Sequence, residues 1–321
     1  MLKVAFQEPV QELILQVEEC MLAQAEGAHP QLASALDHLL SSGGKRIRVA
    51  FTLLIGEMLG GNRQMLVTLA AALELLHTAT LVHDDLIDGS LIRRGNPTLN
   101  AKWSSTATVL TGDFLFARAA KLAAEVKLIP VMQLFAETLA VIVNGEITQL
   151  FGRRVFAGRE EYERRIYAKT ASLFEAAATT AGIVSGVPPD IVDKVKRIGF
   201  EVGMSFQIVD DVLDFTGQQT TIGKPVANDL RQGIVTLPTL YYLEEFPEDP
   251  VCKAIAQGKI VSQDDLERLI QAIRTCGAVE RSLQEANEYL ERSRVVLMEF
   301  PISPARHGLE ELTRFVGQRS K

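Results

Sequence analysis

The sequence predicts an all-α fold in a single domain that spans residues 1–321. Apolar residues recur at i, i+3 and i+4 along most of the chain, as in "PVQELILQVEECMLAQA" near the N-terminus. The strict alternation that marks a half-buried strand is not found. Several segments, such as "VMQLFAETLAVIVNGEITQLF", are apolar on most faces. We therefore expect these helices to be surrounded by other helices.

Start and stop signals place the helices in order. One long helix is predicted through "QMLVTLAAALELLHTATLVHDDLID", which contains neither Pro nor Gly. Asp190 is a predicted N-cap for a helix that reaches about Phe215. Residues 216–236 are predicted to form a long polar loop, which in a compact domain is typical of a functional segment. Ser303 and Pro304 mark the start of the last helix.

Composition excludes several classes of function. The net charge of −7 leaves no basic footprint for nucleic acid, although a small anion needs only a local basic cluster. The three cysteines, Cys20, Cys252 and Cys276, match neither a disulfide framework nor a metal spacing, which indicates a reduced, cytoplasmic setting. The N-terminus does not resemble a signal peptide, and no apolar run approaches the roughly 20 residues that span a bilayer. We expect any membrane contact to be peripheral.

Two sets of aspartates stand in apolar surroundings. Each set has two acids four residues apart and a third between them: Asp84, Asp85 and Asp88 in "VHDDLIDGSLIRRG", and Asp210, Asp211 and Asp214 in "SFQIVDDVLDF". Acids four apart share a helix face, where their repulsion calls for a compensating cation. Ligands that are all oxygen favour Mg²⁺ over zinc or copper. Two such sets on separate helices predict facing carboxylate walls around divalent cations.

Two other kinds of metal site fit the sequence less well. An EF-hand that begins at Asp84 would place Leu86 and Gly95 where oxygen ligands are required, so it is excluded. A di-iron carboxylate bundle needs Glu-x-x-His pairs, and Glu74 and His77 form one such pair. A di-iron oxidoreductase therefore stays open as the alternative.

Basic residues accompany both acid sets along the chain. The segment "GGKRIR" supplies Lys45, Arg46 and Arg48, but it is no P-loop, since the upstream glycine and the Ser/Thr are missing. Glycines before a helix start still offer N–H groups to an anion. The other candidates are Arg93, Arg94, Lys169 and Lys224. Together with the acids they suggest two diphosphate-sized anions, one held through metal and the other held directly by Lys and Arg.

These motifs resemble those of the trans-isoprenyl diphosphate synthases, also called polyprenyl synthetases, and in particular their medium- and long-chain branch. "DDLID" followed by "RRG" is similar to the first aspartate-rich motif of that family, and "FQIVDDVLD" to the second. "GGKRIR", "LLHTATLVHDD", "GDFLFARA", "GEITQL", "KTASLF" and "GKPVANDLRQG" also fall in family order. The similarity extends from about residue 10 to the C-terminus and is strongest over residues 43–240.

The resemblance implies an isoprenoid-synthase-type bundle of long helices around a central apolar cavity, and a homodimer. It implies a Mg²⁺-dependent prenyltransferase that joins isopentenyl diphosphate to an allylic diphosphate head to tail (1'-4), giving an all-trans polyprenyl diphosphate. About three Mg²⁺ ions would be bound by Asp84, Asp85, Asp88, Asp210 and Asp214. Isopentenyl diphosphate would contact Gly44, Lys45, Arg48, His77 and Arg94. The allylic diphosphate would contact Arg93, Lys169, Thr170, Gln207 and Lys224. The implied catalytic residues are Asp84, Asp88, Lys169, Asp210 and Lys224. On this pattern the two arginines divide between the substrates and are not partners of the neighbouring acids.

Small side chains before the first acid set predict a long product. Ala79 and Thr80 lie about one turn before the first aspartate, where short-chain relatives carry bulky aromatics, and Leu76 lies one turn deeper. Phe116 is a candidate for closing the tunnel further on. We expect a product longer than farnesyl. Ile234 departs from the family pattern, because many relatives carry a basic residue there; only a cation at that position is put in doubt.

Two alternatives remain within this family of folds. A terpene cyclase is disfavoured because its second metal motif usually reads NDxxSxxxE, whereas this chain has "DDVLD". A non-catalytic partner subunit of a heteromeric synthase typically lacks one acid motif, whereas both motifs are complete here.

Overall fold

The computed structural model describes residues 4–41, 44–93, 95–151, 158–217, 226–257, 259 and 261–319. These residues are almost entirely helical, which confirms the predicted fold class. In chain order the helices are α1 (Gln11–Ala23), α2 (Pro30–Ser41), α3 (Ile47–Met58), α4 (Arg63–Ile87), α5 (Leu99–Lys102), α6 (Ser105–Glu125), α7 (Ile129–Phe151), α8 (Arg159–Ile166), α9 (Ser172–Val184), α10 (Pro189–Thr216), α11 (Asn228–Arg231), α12 (Leu237–Glu245), α13 (Pro250–Ala256), α14 (Gln263–Thr275), α15 (Ala278–Leu297) and α16 (Pro304–Gln318). A 3₁₀ turn at Ala5–Val10 precedes α1, and a π-helical turn at Tyr167–Ala171 lies between α8 and α9.

Two strands depart from the sequence prediction. The strands β1 (Ile92–Arg93) and β2 (Asn96–Pro97) form an antiparallel hairpin directly after the first acid set. Gly95 in its turn has φ 78°, in the left-handed region that favours glycine. Strands of two residues are too short to show an alternating pattern, so the sequence gives no sign of them.

Three element boundaries refine the prediction. Helix α10 begins at Pro189, so Asp190 lies in its first turn rather than at the cap; proline is well suited to a first helical position. The short helix α11 lies inside the segment predicted as a continuous loop. The start of α16 is confirmed, since the Ser303 hydroxyl accepts a hydrogen bond from the Arg306 N–H over 3.1 Å.

The chain divides into two compact units. Unit 1 comprises Met1–Leu139, Leu173–Gly199 and Val296–Leu312, and unit 2 comprises Ala140–Ser172, Phe200–Val295 and Thr313–Lys321. Each unit has its own buried apolar core. One domain over residues 1–321 stays a prediction.

In unit 1 the central element is α4, which packs against α1, α3 and α6. Asn62 caps its start by accepting a hydrogen bond from the Met65 N–H over 3.0 Å. Gly89, with φ 62°, follows its last turn. Helix α6 approaches closely at Gly112, where a Cβ atom would lie 2.1 Å from Nε2 of His83. A larger residue at this glycine would therefore displace the histidine that precedes the first acid set.

In unit 2 the core is built on the C-terminal half of α10. Val209, Val212 and Phe215 are fully buried there, together with Tyr162 of α8 and Leu269 of α14. These apolar residues occupy one side of α10. The aspartates between them in the sequence therefore lie on the other side of the same helical turns.

Among the residues that the structure describes, two helices, α4 and α7, are long and apolar enough to cross a membrane by length and composition alone. The apolar stretch of α4 is 72% buried, as expected for a core helix, but that of α7 is only 17% buried. Large apolar side chains exposed on α7 include Val143, Ile147 and Leu150. The expectation that this helix is surrounded within the chain is therefore wrong. Exposed apolar surface of this kind is typical of a site where another molecule binds.

We expect Cys252 to be unreactive towards thiol reagents in the folded protein. Its side chain is 1% exposed, and burial, reinforced by the charge of Asp249, raises the pKa of its thiol to about 12. Almost no thiolate then forms near neutral pH. Titration with a thiol reagent should find this cysteine only after the protein is unfolded in guanidinium. Peptide mapping that shows rapid modification of the native protein at Cys252 would contradict its burial.

Candidate active site

The first acid set lies at the C-terminal end of α4 in unit 1. Asp84 is half-buried, Asp85 is buried, and Asp88 is exposed at the C-cap. The C-terminal end of a helix carries partial negative charge from its unsatisfied carbonyl groups. Three carboxylates at this end repel one another and the helix dipole, so the position attracts cations.

Arg93 supplies one such cation. The chain turns at Gly89 (φ 62°) directly after α4, and the Arg93 guanidinium reaches the end of that helix, where Nε donates to Oδ1 of Asp85 over 2.8 Å. The expectation that this arginine is no partner of the neighbouring acids is therefore wrong, because the turn after α4 brings positions 85 and 93 together. Arg94 lies outside the described residues.

The predicted isopentenyl diphosphate ligands Arg48 and His77 are in direct contact. Arg48 Nη1 lies 3.2 Å from His77 Nε2. A guanidinium has only donors, so Nε2 accepts and the imidazole proton in this contact is on Nδ1. Phe174 supports the pair from the motif "KTASLF", because the Arg48 guanidinium lies 4.9 Å above its ring. Lys45 is exposed, three positions before Arg48 in the same motif and next to Gly44.

Arg46 has a different role from its neighbours in "GGKRIR". It is 8% exposed, and its guanidinium contacts Glu74 and Glu18 at 3.1 Å each. It also donates to the Leu40 carbonyl over 3.1 Å. Arg46 thus fixes the start of α3 against α4, one turn from the histidine that pairs with Arg48.

The same contact removes the di-iron alternative. The Glu74 carboxylate is bound by a buried arginine, whereas a di-iron site needs it as a metal ligand. The sequence holds a second pair of the required spacing, Glu26 and His29, but these two residues lie in the turn between α1 and α2 and not on a helix.

A small cavity of about 80 Å³ opens beside these groups in unit 1. The cavity brings together His77, assigned from the sequence to isopentenyl diphosphate, and Arg93, assigned to the allylic diphosphate. Its lining includes His38, Glu74, His77, Asp85, Arg93 and Thr98. The basic and acidic groups that line it are suited to a hydrated anion or an anion with its metal.

The second acid set lies at the C-terminal end of α10 in unit 2. Asp210 is half-buried, and its Oδ1 is 2.9 Å from the guanidinium of Arg319, which also stacks over Phe206 at 4.2 Å. Asp214 accepts hydrogen bonds from the backbone N–H groups of residues 228 and 229 over 3.1 and 3.0 Å. It therefore caps α11. Sequence reasoning missed Arg319, which is far from the motif and carries no signal of its own.

Asp211, between these two acids, is engaged by protein groups. It is 4% exposed, and it accepts hydrogen bonds from the Tyr162 hydroxyl and from Gln207 Nε2, each over 2.8 Å. Burial, reinforced by the charge of Asp229, raises its pKa to about 7. Burial and the nearby carboxylate also raise the pKa of Tyr162 well above its ordinary value.

Lys169 lies exposed on the π-helical turn, and the adjacent Thr170 hydroxyl donates to Gln207 Oε1. Insertions of this kind often occur at functional sites. The structure thus brings Thr170 and Gln207 together, as the predicted allylic diphosphate site requires. Lys224 lies outside the described residues.

The proposed tunnel residues are all in unit 1. Leu76 and Ala79 are fully buried on α4, and Thr80 is half-buried and donates to the His77 carbonyl over 2.8 Å. Phe116 is half-buried on α6, with its ring centroid 5.4 Å from that of His83. Their role in product length stays a prediction.

Within the described ranges, no group of three or more His, Cys, Asp or Glu side chains could hold a metal by itself. Carboxylate pairs at the ends of two helices suit Mg²⁺ instead, since this ion usually takes one or two carboxylates and completes its shell with water and substrate phosphate.

An all-α protein with aspartate pairs at two helix ends, and with Lys and Arg arranged for diphosphates, is of the class of prenyltransferases. The chain belongs to the polyprenyl synthetase family, since the profile described as "Polyprenyl synthetase" matches residues 29–273. It is 40% identical over 305 residues to heptaprenyl diphosphate synthase component 2 of Geobacillus stearothermophilus, covering 94% of each chain. It is 36% identical to octaprenyl diphosphate synthase of Escherichia coli K12, covering 88% of each.

A solved structure agrees over nearly the whole chain. The polyprenyl synthase of Caulobacter crescentus, crystallised with calcium and isoprenyl diphosphate, matches with a TM-score of 0.91 and 31% identity, covering 99% of this chain and 98% of the other. The fold and the transferase class predicted from the motifs are confirmed.

Proposed function

We propose that this prenyltransferase uses Mg²⁺ to condense isopentenyl diphosphate with an allylic diphosphate, giving an all-trans polyprenyl diphosphate longer than farnesyl. The observation that carries this proposal is the placement of both acid sets at helix C-termini, where the helix dipole adds to the carboxylate charge and favours bound cations. The outer acids, Asp84 and Asp88 on α4 and Asp210 and Asp214 on α10, would bind the metal ions of the allylic diphosphate.

The bound metal would neutralise the leaving diphosphate and so favour cleavage of the allylic C–O bond. Arg93, Lys169 and Gln207 would contact that diphosphate and retain it after cleavage. Arg48 and His77 would orient isopentenyl diphosphate so that its double bond faces the allylic carbon. The new C–C bond forms from that double bond, and one proton leaves isopentenyl C2. The released diphosphate is the proposed acceptor of that proton, so the step requires no protein base.

We expect Ala79→Phe to shorten the product. Ala79 is fully buried on the helix that leads to Asp84, and a phenyl group there would block an apolar tunnel, while overpacking costs about 1–3 kcal/mol of stability. Chromatographic sizing of the products measures the effect. The matched control is Ala70→Phe, which is equally buried but lies on the opposite face of α4. An unchanged product from Ala79→Phe would remove the tunnel assignment.

A homodimer is the proposed assembly. Its support is the exposed apolar row of α7, which a second copy could cover. Three free cysteines support a cytoplasmic location. Similarity to a protein named as component 2 of a heptaprenyl diphosphate synthase favours one alternative, a chain that needs a second component.

The test is an assay of the purified chain alone. Incubation with Mg²⁺, isopentenyl diphosphate and farnesyl diphosphate should release diphosphate and give chains longer than farnesyl, and chelation of the metal should stop both. Light scattering reports the assembly in the same sample. A folded chain that turns nothing over alone would favour the second-component alternative.

A further inference from the structure

A chain of hydrogen bonds in unit 2 joins the turn that carries Lys169 to α10. The Tyr162 hydroxyl and Gln207 Nε2 both donate to Asp211, each over 2.8 Å, and the Thr170 hydroxyl donates to Gln207 Oε1. Tyr162, Asp211 and Thr170 are 1%, 4% and 4% exposed. Because water has little access to them, these bonds are well placed to define one side-chain arrangement.

The carboxylate sets the direction of the whole chain of bonds. In its ionised form Asp211 offers only acceptors, so both of its neighbours must then donate. The Gln207 amide therefore turns its NH₂ group to Asp211 and its carbonyl to Thr170, whose hydroxyl then has to donate. One N–H of the Gln207 amide donates to Asp211, and this bond also fixes the direction of the second N–H. An asparagine at position 211 could not accept from both neighbours on its two terminal atoms, so the amide could turn over.

The middle acid of each set contacts protein groups. Asp211 is held by Tyr162 and Gln207 in unit 2, and Asp85 is held by Arg93 over 2.8 Å in unit 1. Both middle acids are buried, whereas the outer acids of both sets are half-buried or exposed. Burial therefore sets the middle aspartate of each set apart as the one that orients its neighbouring side chains.

The orientation of the Gln207 amide affects the π-helical turn that carries Lys169. A π turn interrupts the regular i→i−4 bonding of a helix, so the position of Lys169 depends on how the turn is anchored. Thr170 anchors it to Gln207, and Gln207 is held by Asp211 and Tyr162.

We propose that Tyr162 and Asp211 are positioning residues for the allylic diphosphate: they fix the Gln207 amide and, through Thr170, the turn that carries Lys169. The inference rests on the proposed function, in which Lys169 and Gln207 contact that diphosphate. Neither Tyr162 nor Asp211 needs to touch the substrate for this effect.

The test begins with Tyr162→Phe, which removes one hydroxyl and keeps the ring. KM for the allylic diphosphate and the Kd for inorganic diphosphate with Mg²⁺ should each rise about tenfold. KM for isopentenyl diphosphate should stay within about twofold. Asp211→Asn should act in the same direction, because it permits the amide to turn over.

The matched control is Tyr242→Phe. Tyr242 is 6% exposed in the same core and donates to Asp249 over 3.0 Å, so this change also removes a tyrosine–aspartate hydrogen bond, here a partly buried one. It should lower Tm by a similar amount and leave KM for the allylic substrate unchanged. If KM for the allylic substrate rose equally in both variants, the effect of Tyr162→Phe would be explained by lost stability alone. That result would overturn the proposal.

A double-mutant cycle identifies the route of the effect. In a Gln207→Leu background the change Tyr162→Phe should no longer alter the Kd for magnesium diphosphate, because the amide through which it acts is gone. A full tenfold effect in that background, or none in the wild-type background, overturns the proposal. If the wild-type chain binds magnesium diphosphate but forms no product, the proposed function is wrong and the positioning role can still be tested by binding. If the wild-type chain does not bind magnesium diphosphate, both the proposed function and the positioning role are overturned.

Discussion

Asp88→Asn is expected to lower kcat/KM by about a hundredfold or more while slightly stabilising the fold. Asp88 is exposed at the C-cap of α4, where a negative charge opposes the helix dipole. Removing that charge should raise the free energy of unfolding by about 0.3–1 kcal/mol. The same change removes a proposed metal ligand, and with it part of the neutralisation of the leaving diphosphate. Steady-state kinetics and denaturant unfolding measure the two effects.

The opposite signs of these two effects distinguish a metal ligand from a structural residue. A suitable control is Asp37→Asn, an exposed carboxylate on α2, for which kcat/KM should stay within about twofold. If Asp88→Asn kept full activity at low Mg²⁺, the first acid set would not bind the metal. If the variant lost activity and stability together, its effect would be structural.

Arg46→Ala is expected to destabilise the protein by about 3–5 kcal/mol, since it leaves the Glu74 carboxylate buried without its cation. Glu74 is 7% exposed, and Arg46 contacts it and Glu18 at 3.1 Å each. Chemical denaturation followed by circular dichroism measures the loss. Because Arg46 fixes the start of α3, KM for isopentenyl diphosphate should also rise.

Two further variants test the cause. Arg63→Ala breaks an exposed pair with Glu57 and should change stability far less, because exposed ion pairs are screened by water. Replacing both buried partners, as Arg46→Met with Glu74→Leu, should recover much of the loss, since no charge is left buried alone. A double variant as unstable as Arg46→Ala would show that packing, and not an uncompensated charge, causes the effect.

The sequence predicts most of the fold and the chemistry of the candidate site. Helical periodicity holds over nearly the whole described chain because burial of an apolar face repeats with the turn of the helix. The acids at positions 84, 88, 210 and 214 could be found because a helix places residues four apart on one face. Local spacing therefore carries this part of the information.

The same spacing does not tell Asp85 and Asp211 from their neighbours. Within each motif all aspartates look alike, and the difference arises from partners elsewhere in the chain. Tyr162 reaches Asp211 from 49 positions away, and Arg319 reaches Asp210 from beyond the last helix. Neither partner could be found without the tertiary structure.

By itself the sequence determined that the chain is helical and that two acid sets and a group of cations serve diphosphate chemistry. Only the tertiary structure decided which charges are balanced within the protein: Arg46 by Glu74, Arg93 by Asp85, and Asp211 by neutral donors. It also decided that α7 leaves its apolar row exposed. The physical reason is that periodicity depends on near neighbours in the chain, whereas burial and charge pairing depend on residues that only folding brings together.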